Sequence, residues 1–138
     1  MKTKIKHLIS IFLSFVIIII IISTATVVTA AEPRFSDTHS LYITLSFNGT
    51  TAYCTVQLIG ANGTTSISDG HLILTDSRGS VKGDWENLPS SAGTLYASKT
   101  VSGLTKGETY TLTFSANVKR NGNTEYVSDS NSKTCPNK

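Results

Sequence analysis

His39 and His71 are the only histidines beyond the first 30 residues, and neither has a carboxylate or cysteine at a spacing familiar from catalytic or metal-binding motifs. A Ser-His-Asp set can be assembled from distant positions in any chain this rich in serine, so it carries no weight without proximity. The acids stand singly, as at Asp69, Asp76, Asp84 and Asp129. Asp129-Ser130-Asn131 could offer oxygens to calcium, but a calcium site needs about six to eight of them. His71, at the start of an apolar run, reads as a solvated strand residue. These types and spacings predict no catalytic residue, no cofactor and no metal site, and so a protein that is not an enzyme.

Cys54 and Cys135 are the only cysteines, and their chemistry depends on where the chain goes. Lys2, Lys4, Lys6 and His7 precede an apolar run from Leu8 to Ile22, broken only by Ser10 and Ser14. Small residues follow from Ser23 to Ala31. A basic start, an apolar centre and a small-residue exit describe a secretory signal peptide over residues 1–30, cleaved after Ala30 or Ala31. The competing reading is an uncleaved membrane anchor, although the apolar centre is shorter than the ~20 residues a span needs. The expected destination is outside the cell or at its surface, with membrane contact only through the leader if it is retained. In that oxidising setting Cys54 and Cys135 are expected to form one disulfide. It would close a loop of about 80 residues, worth roughly 4–5 kcal/mol in the chain-entropy description.

The leader also carries the charge. The chain has 12 basic and 9 acidic residues, but without Lys2, Lys4 and Lys6 it holds nine of each. No electrostatic footprint for nucleic acid survives that balance.

The elements that must position any site are short and β-like. Residues 31–40, polar and containing Pro33, read as a loose N-terminal arm before a domain over 41–138. Leu41, Ile43, Leu45 and Phe47 alternate with Tyr42, Thr44 and Ser46; Ala52, Cys54, Val56 and Leu58 alternate with Tyr53, Thr55 and Gln57. Asn48-Gly49 between them signals a hairpin, with a loop of two residues (48–49) or four (48–51). Both Asn48-Gly49-Thr50 and Asn62-Gly63-Thr64 fit a glycosylation sequon, but their reading as turn residues is sufficient. Asn62-Gly63 and Asp69-Gly70 read as breaks, with strand residues at Ile67 and Leu72–Leu74. A less regular strand over 81–88 holds the only Trp, Trp85, expected to lean on the core. Leu95, Ala97 and Val101 share one parity, and Tyr110, Leu112, Phe114, Ala116 and Val118 another. Asn121-Gly122 turns the chain into a weak edge strand at 124–127. About seven strands within about 100 residues predict an all-β, two-sheet antiparallel sandwich.

Leu104, Gly107 and Tyr110, just ahead of the longest alternating run, resemble the tyrosine corner of immunoglobulin-like and fibronectin type III sandwiches. The resemblance covers essentially the whole domain, although no cysteine stands in the strand after the corner. The chain is also similar to short secreted Gram-positive bacterial proteins of unknown function. The resemblance implies that strands 41–47, 52–58 and 95–101 share a sheet. Their outward residues would then include Tyr42, Tyr53, Gln57 and Tyr96 among Ser and Thr, a flat uncharged platform suited to a glycan or a surface protein. The expected function is therefore a secreted, non-catalytic binding or adhesion module. The alternative is a secreted effector, an enzyme inhibitor or small toxin acting through exposed loops such as 76–84.

Overall fold

The two-residue periodicity becomes seven antiparallel strands in the computed structural model, which describes residues 35–138. The expected leader over 1–30 lies outside the described residues, as do residues 31–34. The strands are β1 (Thr38–Asn48), β2 (Thr51–Gly60), β3 (Thr64–Asp76), β4 (Val81–Trp85), β5 (Thr94–Val101), β6 (Thr109–Arg120) and β7 (Asn123–Thr134). They form two sheets, ordered β1-β2-β5 and β4-β3-β6-β7. This is an antiparallel all-β sandwich of two sheets, an arrangement compatible with an immunoglobulin-like fold, and the three strands expected to share a sheet do so.

Alternation decides what lies between the sheets. Leu45, Cys54, Val56, Leu58, Leu95 and Ala97 point inward from the three-stranded sheet. Leu72, Leu74, Leu112, Phe114, Ala116, Val118 and Val127 meet them from the other. Trp85 packs against the rim of this core, partly buried, its ring lying over Gly83 where a Cβ would collide with it.

The turns follow residue chemistry. Asn48 pairs with Thr51, so the first hairpin loop is Gly49-Thr50, and only Gly49 is left-handed, at φ 57°. Glycine at the first central position is the type II′ signature. The register, with Phe47 opposite Ala52, is the one a four-residue loop predicts, closed by one further pair. At the β6–β7 hairpin Asn121 and Gly122 are both left-handed, the type I′ pattern expected of Asn-Gly.

Three expectations are corrected. Asp69-Gly70 is not a break but a bulge inside β3, with Asp69 at φ 54° and the register to β6 shifting between Ser68 and His71. The weak edge strand at 124–127 is a twelve-residue β7 paired with β6 along its whole length. Residues 35–40 are not loose: β1 begins at Thr38, and Glu125 holds the approach to it. Its carboxylate accepts from the Ser36 amide at 2.9 Å, the Ser36 hydroxyl at 2.9 Å and the Asp37 amide at 2.8 Å. Burial alone would raise the Glu125 pKa, but those donors outweigh it and leave the carboxyl below its ordinary value. Arg120 Nη1 then meets Asp37 Oδ1 at 3.1 Å.

The corner is formed as the resemblance implies. The Thr105 amide donates to Tyr110 Oη at 2.8 Å, Leu104 is buried, and Gly107 takes φ 74°. Tyr110 is itself buried, with Phe47 beside it at 5.9 Å between ring centroids. Tyr110→Phe keeps the ring and strands the Thr105 amide, which should cost about 1 kcal/mol. For a domain of this size that lowers Tm by roughly 4–8 °C in a thermal melt. An unchanged Tm would show that the hydroxyl contributes nothing to the corner.

Candidate functional site

Register across the three-stranded sheet decides which outward residues are neighbours. Tyr42 pairs with Gln57, and Gln57 with Tyr96, so these three form one row across the strands. Thr44, Thr55 and Ser98 form the next, where the Thr55 and Ser98 hydroxyls lie 3.4 Å apart. Ser46, Tyr53 and Thr100 form the third. Tyr42 and Tyr96 are 64% and 61% exposed, against 39% for Tyr53. The structure thus brings Tyr42, Gln57 and Tyr96 together and leaves Tyr53 four residues along β2, about 13 Å away. None of the nine side chains in these rows is an Asp, Glu, Lys, Arg or His. Lys99 in β5 stands opposite Cys54, on the inward parity.

The outer face of the other sheet holds an arrangement that sequence spacing did not reveal. His71 was expected to stand without a carboxylate partner, yet its Nε2 lies 2.6 Å from Asp84 Oδ1. Glu86 joins them, and one ligand-capable atom from each of the three lies within 4.8 Å of the others. Strand pairing explains the meeting. Leu72 faces Trp85 and Ile73 faces Asp84, so one step further His71 faces Glu86 with Asp84 on the diagonal. All three project away from the core. Thirteen residues separate His71 from Asp84, which removes any local motif. The only sequence signal was shared parity across a turn, and the bulge at Asp69-Gly70 obscured where β3 ran.

A cleft of about 250 Å³ opens beside this cluster, lined by Asp69, His71, Glu86 and Asn87. Asp69 Oδ2 accepts from Asn117 Nδ2 at 2.8 Å and the Ser68 hydroxyl at 3.0 Å, which fixes the carboxylate. Asn87, at φ 52°, bends the chain out of β4 so that the Leu88 amide reaches the Gly70 carbonyl at 2.9 Å.

The expected Cys54–Cys135 bridge is not formed; both cysteines are buried free thiols. Cys54 stands opposite Leu45, three register steps below the Asn48–Thr51 pair that closes the hairpin, about 10 Å along the strand. Cys135 lies at the hairpin end, its thiol donating to the Gly49 carbonyl at 3.4 Å. Burial pushes the Cys54 thiol up to about 11, which leaves little thiolate to react.

The loop after β3 is organised by Asp76, buried at its base. Its Oδ1 accepts the Arg78 and Ser80 amides, each at 2.9 Å, and Lys82 Nζ lies 3.2 Å from Oδ2. Arg78 is exposed at the tip, with its Nη2 3.7 Å from the same Asp76 Oδ2.

Comparison of the sequence with known protein families and with curated proteins returns no match.

The Ser80 amide, opposed by burial and helped by Lys82 and the Arg78 amide, holds the Asp76 carboxyl down at about 2. The unfolded chain titrates this group near about 3.9. The folded state therefore favours the ionised form, and its contribution is complete above about pH 4 and lost as pH falls towards 2. Asp76→Asn should flatten that part of a Tm-against-pH profile relative to the unmodified chain. Parallel profiles would assign the acid sensitivity elsewhere, with Glu125 as the next candidate.

Proposed function

We propose that the chain is a secreted, non-catalytic module of the immunoglobulin/fibronectin III type that binds a neutral glycan on the outer face of β1-β2-β5. The row Tyr42–Gln57–Tyr96 carries this reading. Two strand spacings separate the tyrosines, about 10 Å. That is close to the length of two linked pyranose rings, so alternate sugars of an extended chain can each lie over a phenol ring. Gln57 stands between them with an amide able to donate and accept, suited to the hydroxyls of the intervening sugar. The Thr and Ser rows add further hydroxyl partners. A face without charge favours a neutral ligand over an anionic one, and tyrosine gives contact area at low entropic cost. Secretion rests on the leader read from the sequence.

One observation favours a second reading, an effector acting through the loop after β3. Asp76 holds that loop in one shape with Arg78 exposed at its tip, a preorganised projection of the sort that inhibitors insert. The two readings differ in where substitutions hurt.

The test is retention on insoluble neutral polysaccharides, β-linked glucan and chitin. The full chain should be retained, the Tyr42→Ser/Tyr96→Ser double variant should lose at least roughly tenfold of its affinity, and Tm should hardly move because both rings lie in solvent. Tyr53→Ser should do less. Equal retention of the double variant, or no retention of the unmodified chain, would remove the glycan reading. Loss of activity only with Arg78→Ala would favour the effector.

A further inference from the structure

We propose that His71 Nε2 and the carboxylates of Asp84 and Glu86 form a binding site for one divalent transition-metal ion, on the face of the sandwich opposite the tyrosine row. The inference is independent of the glycan reading.

The donor set is one imidazole nitrogen and two carboxylates. Such a mixture suits zinc and its first-row neighbours, whereas calcium takes oxygen ligands in larger number. Metal–ligand bonds of about 2.0–2.2 Å in a tetrahedral site put ligand atoms roughly 3.4 Å apart. The three groups already lie within 4.8 Å of one another. His71 and Asp84 side chains are 35% and 48% exposed, so small rotations can close the remaining gap without moving the strands.

Charge favours a cation here. Among the described residues neither Asp84 nor Glu86 is paired with a lysine or arginine, and Asp69 adds a third carboxylate at the edge of the same cleft. Asp69 is fixed by Ser68 and Asn117, so it raises the local negative potential from a set position. The cleft beside His71 and Glu86 gives a hydrated ion its approach and leaves room for water at the fourth position. The backbone places the three ligands well. His71 and Asp84 lie on adjacent, hydrogen-bonded strands, and Glu86 is held by the bend whose Leu88 amide bonds to Gly70. The ion would clip β4, a five-residue edge strand paired only to β3, together with the loop that leaves it.

Calorimetry of the full chain with zinc should show one equivalent bound, and Tm should rise with zinc and return with a chelator. Cobalt in place of zinc should give the intense visible absorption of a low-symmetry site. His71→Ala should abolish both signals, Glu86→Gln should weaken zinc binding at least roughly tenfold, and His39→Ala should change neither. Tm measured in chelator reports whether each variant is folded; Glu86→Gln, exposed and isosteric, decides the matter if His71→Ala is not. Absence of zinc, cobalt and manganese binding, or binding that survives both His71→Ala and Glu86→Gln, would overturn the site.

Discussion

The bond from the Thr105 amide to Tyr110 Oη sits where the chain leaves one sheet and enters the other. The segment between β5 and β6 is also fastened to both neighbours. The Leu104 amide donates to Thr50 in the β1–β2 turn, and the Gly107 amide to the Cys135 carbonyl beyond β7. Cys135 returns a bond to the Glu108 carbonyl. One corner thus joins the first hairpin, the crossover and the chain end, and it sets where β6 begins. From that start β6 pairs with β3 on one side and β7 on the other, and the outer face of the larger sheet is laid out in register.

Much of this was legible in the sequence because the inward residues of β1, β2, β5 and β6 are mostly apolar, Lys99 in β5 being an exception, and the outward ones mostly polar. The corner was legible because left-handed glycine and a buried phenol leave a recognisable spacing. β7 was harder. Beyond Val127 the same parity carries Asp129, Asn131 and Lys133, all polar, and Asn131 faces β1 rather than the centre of the core. Asn131 Nδ2 donates to the Ile43 carbonyl at 2.9 Å, closing the side of the sandwich by a hydrogen bond where a hydrophobicity pattern has nothing to register. In the sequence β3 reads as two pieces, because Asp-Gly signals a turn equally well whether the chain reverses or merely bulges.

Candidate sites divide along the same line. Parity turned Tyr42, Tyr53, Gln57 and Tyr96 outward on their own strands, and the resemblance supplied the shared sheet that puts them on one face. Which of them stand together depends on register, and register depends on a hairpin loop that two lengths fitted. The His71 cluster needed more still: the continuity of β3 through its bulge, the β3–β4 register, and the bend at Asn87. The missing disulfide has the same origin. Both thiols belong to the same end of the sandwich, but one register step is about 3.4 Å, and three such steps separate neighbours from strangers.

The fully buried layer of Val56, Leu58, Leu72, Leu74, Leu112 and Phe114 lies between the two outer faces and belongs to neither. Side chains on one face can change without altering the packing that shapes the other. Strand spacing, not loop flexibility, sets the distance between Tyr42 and Tyr96, so no ordering of the backbone opposes ligand contact there. The opposite face gains its cluster from a less regular feature. The bulge shifts β3 against β6 beside His71 while leaving the β3–β4 pairing of Leu72 and Ile73 intact. The irregularity costs a ladder pair and lies directly beside the three side chains that converge at His71. That coincidence of bulge, bend and donor atoms separates this part of the sheet from an ordinary solvated face.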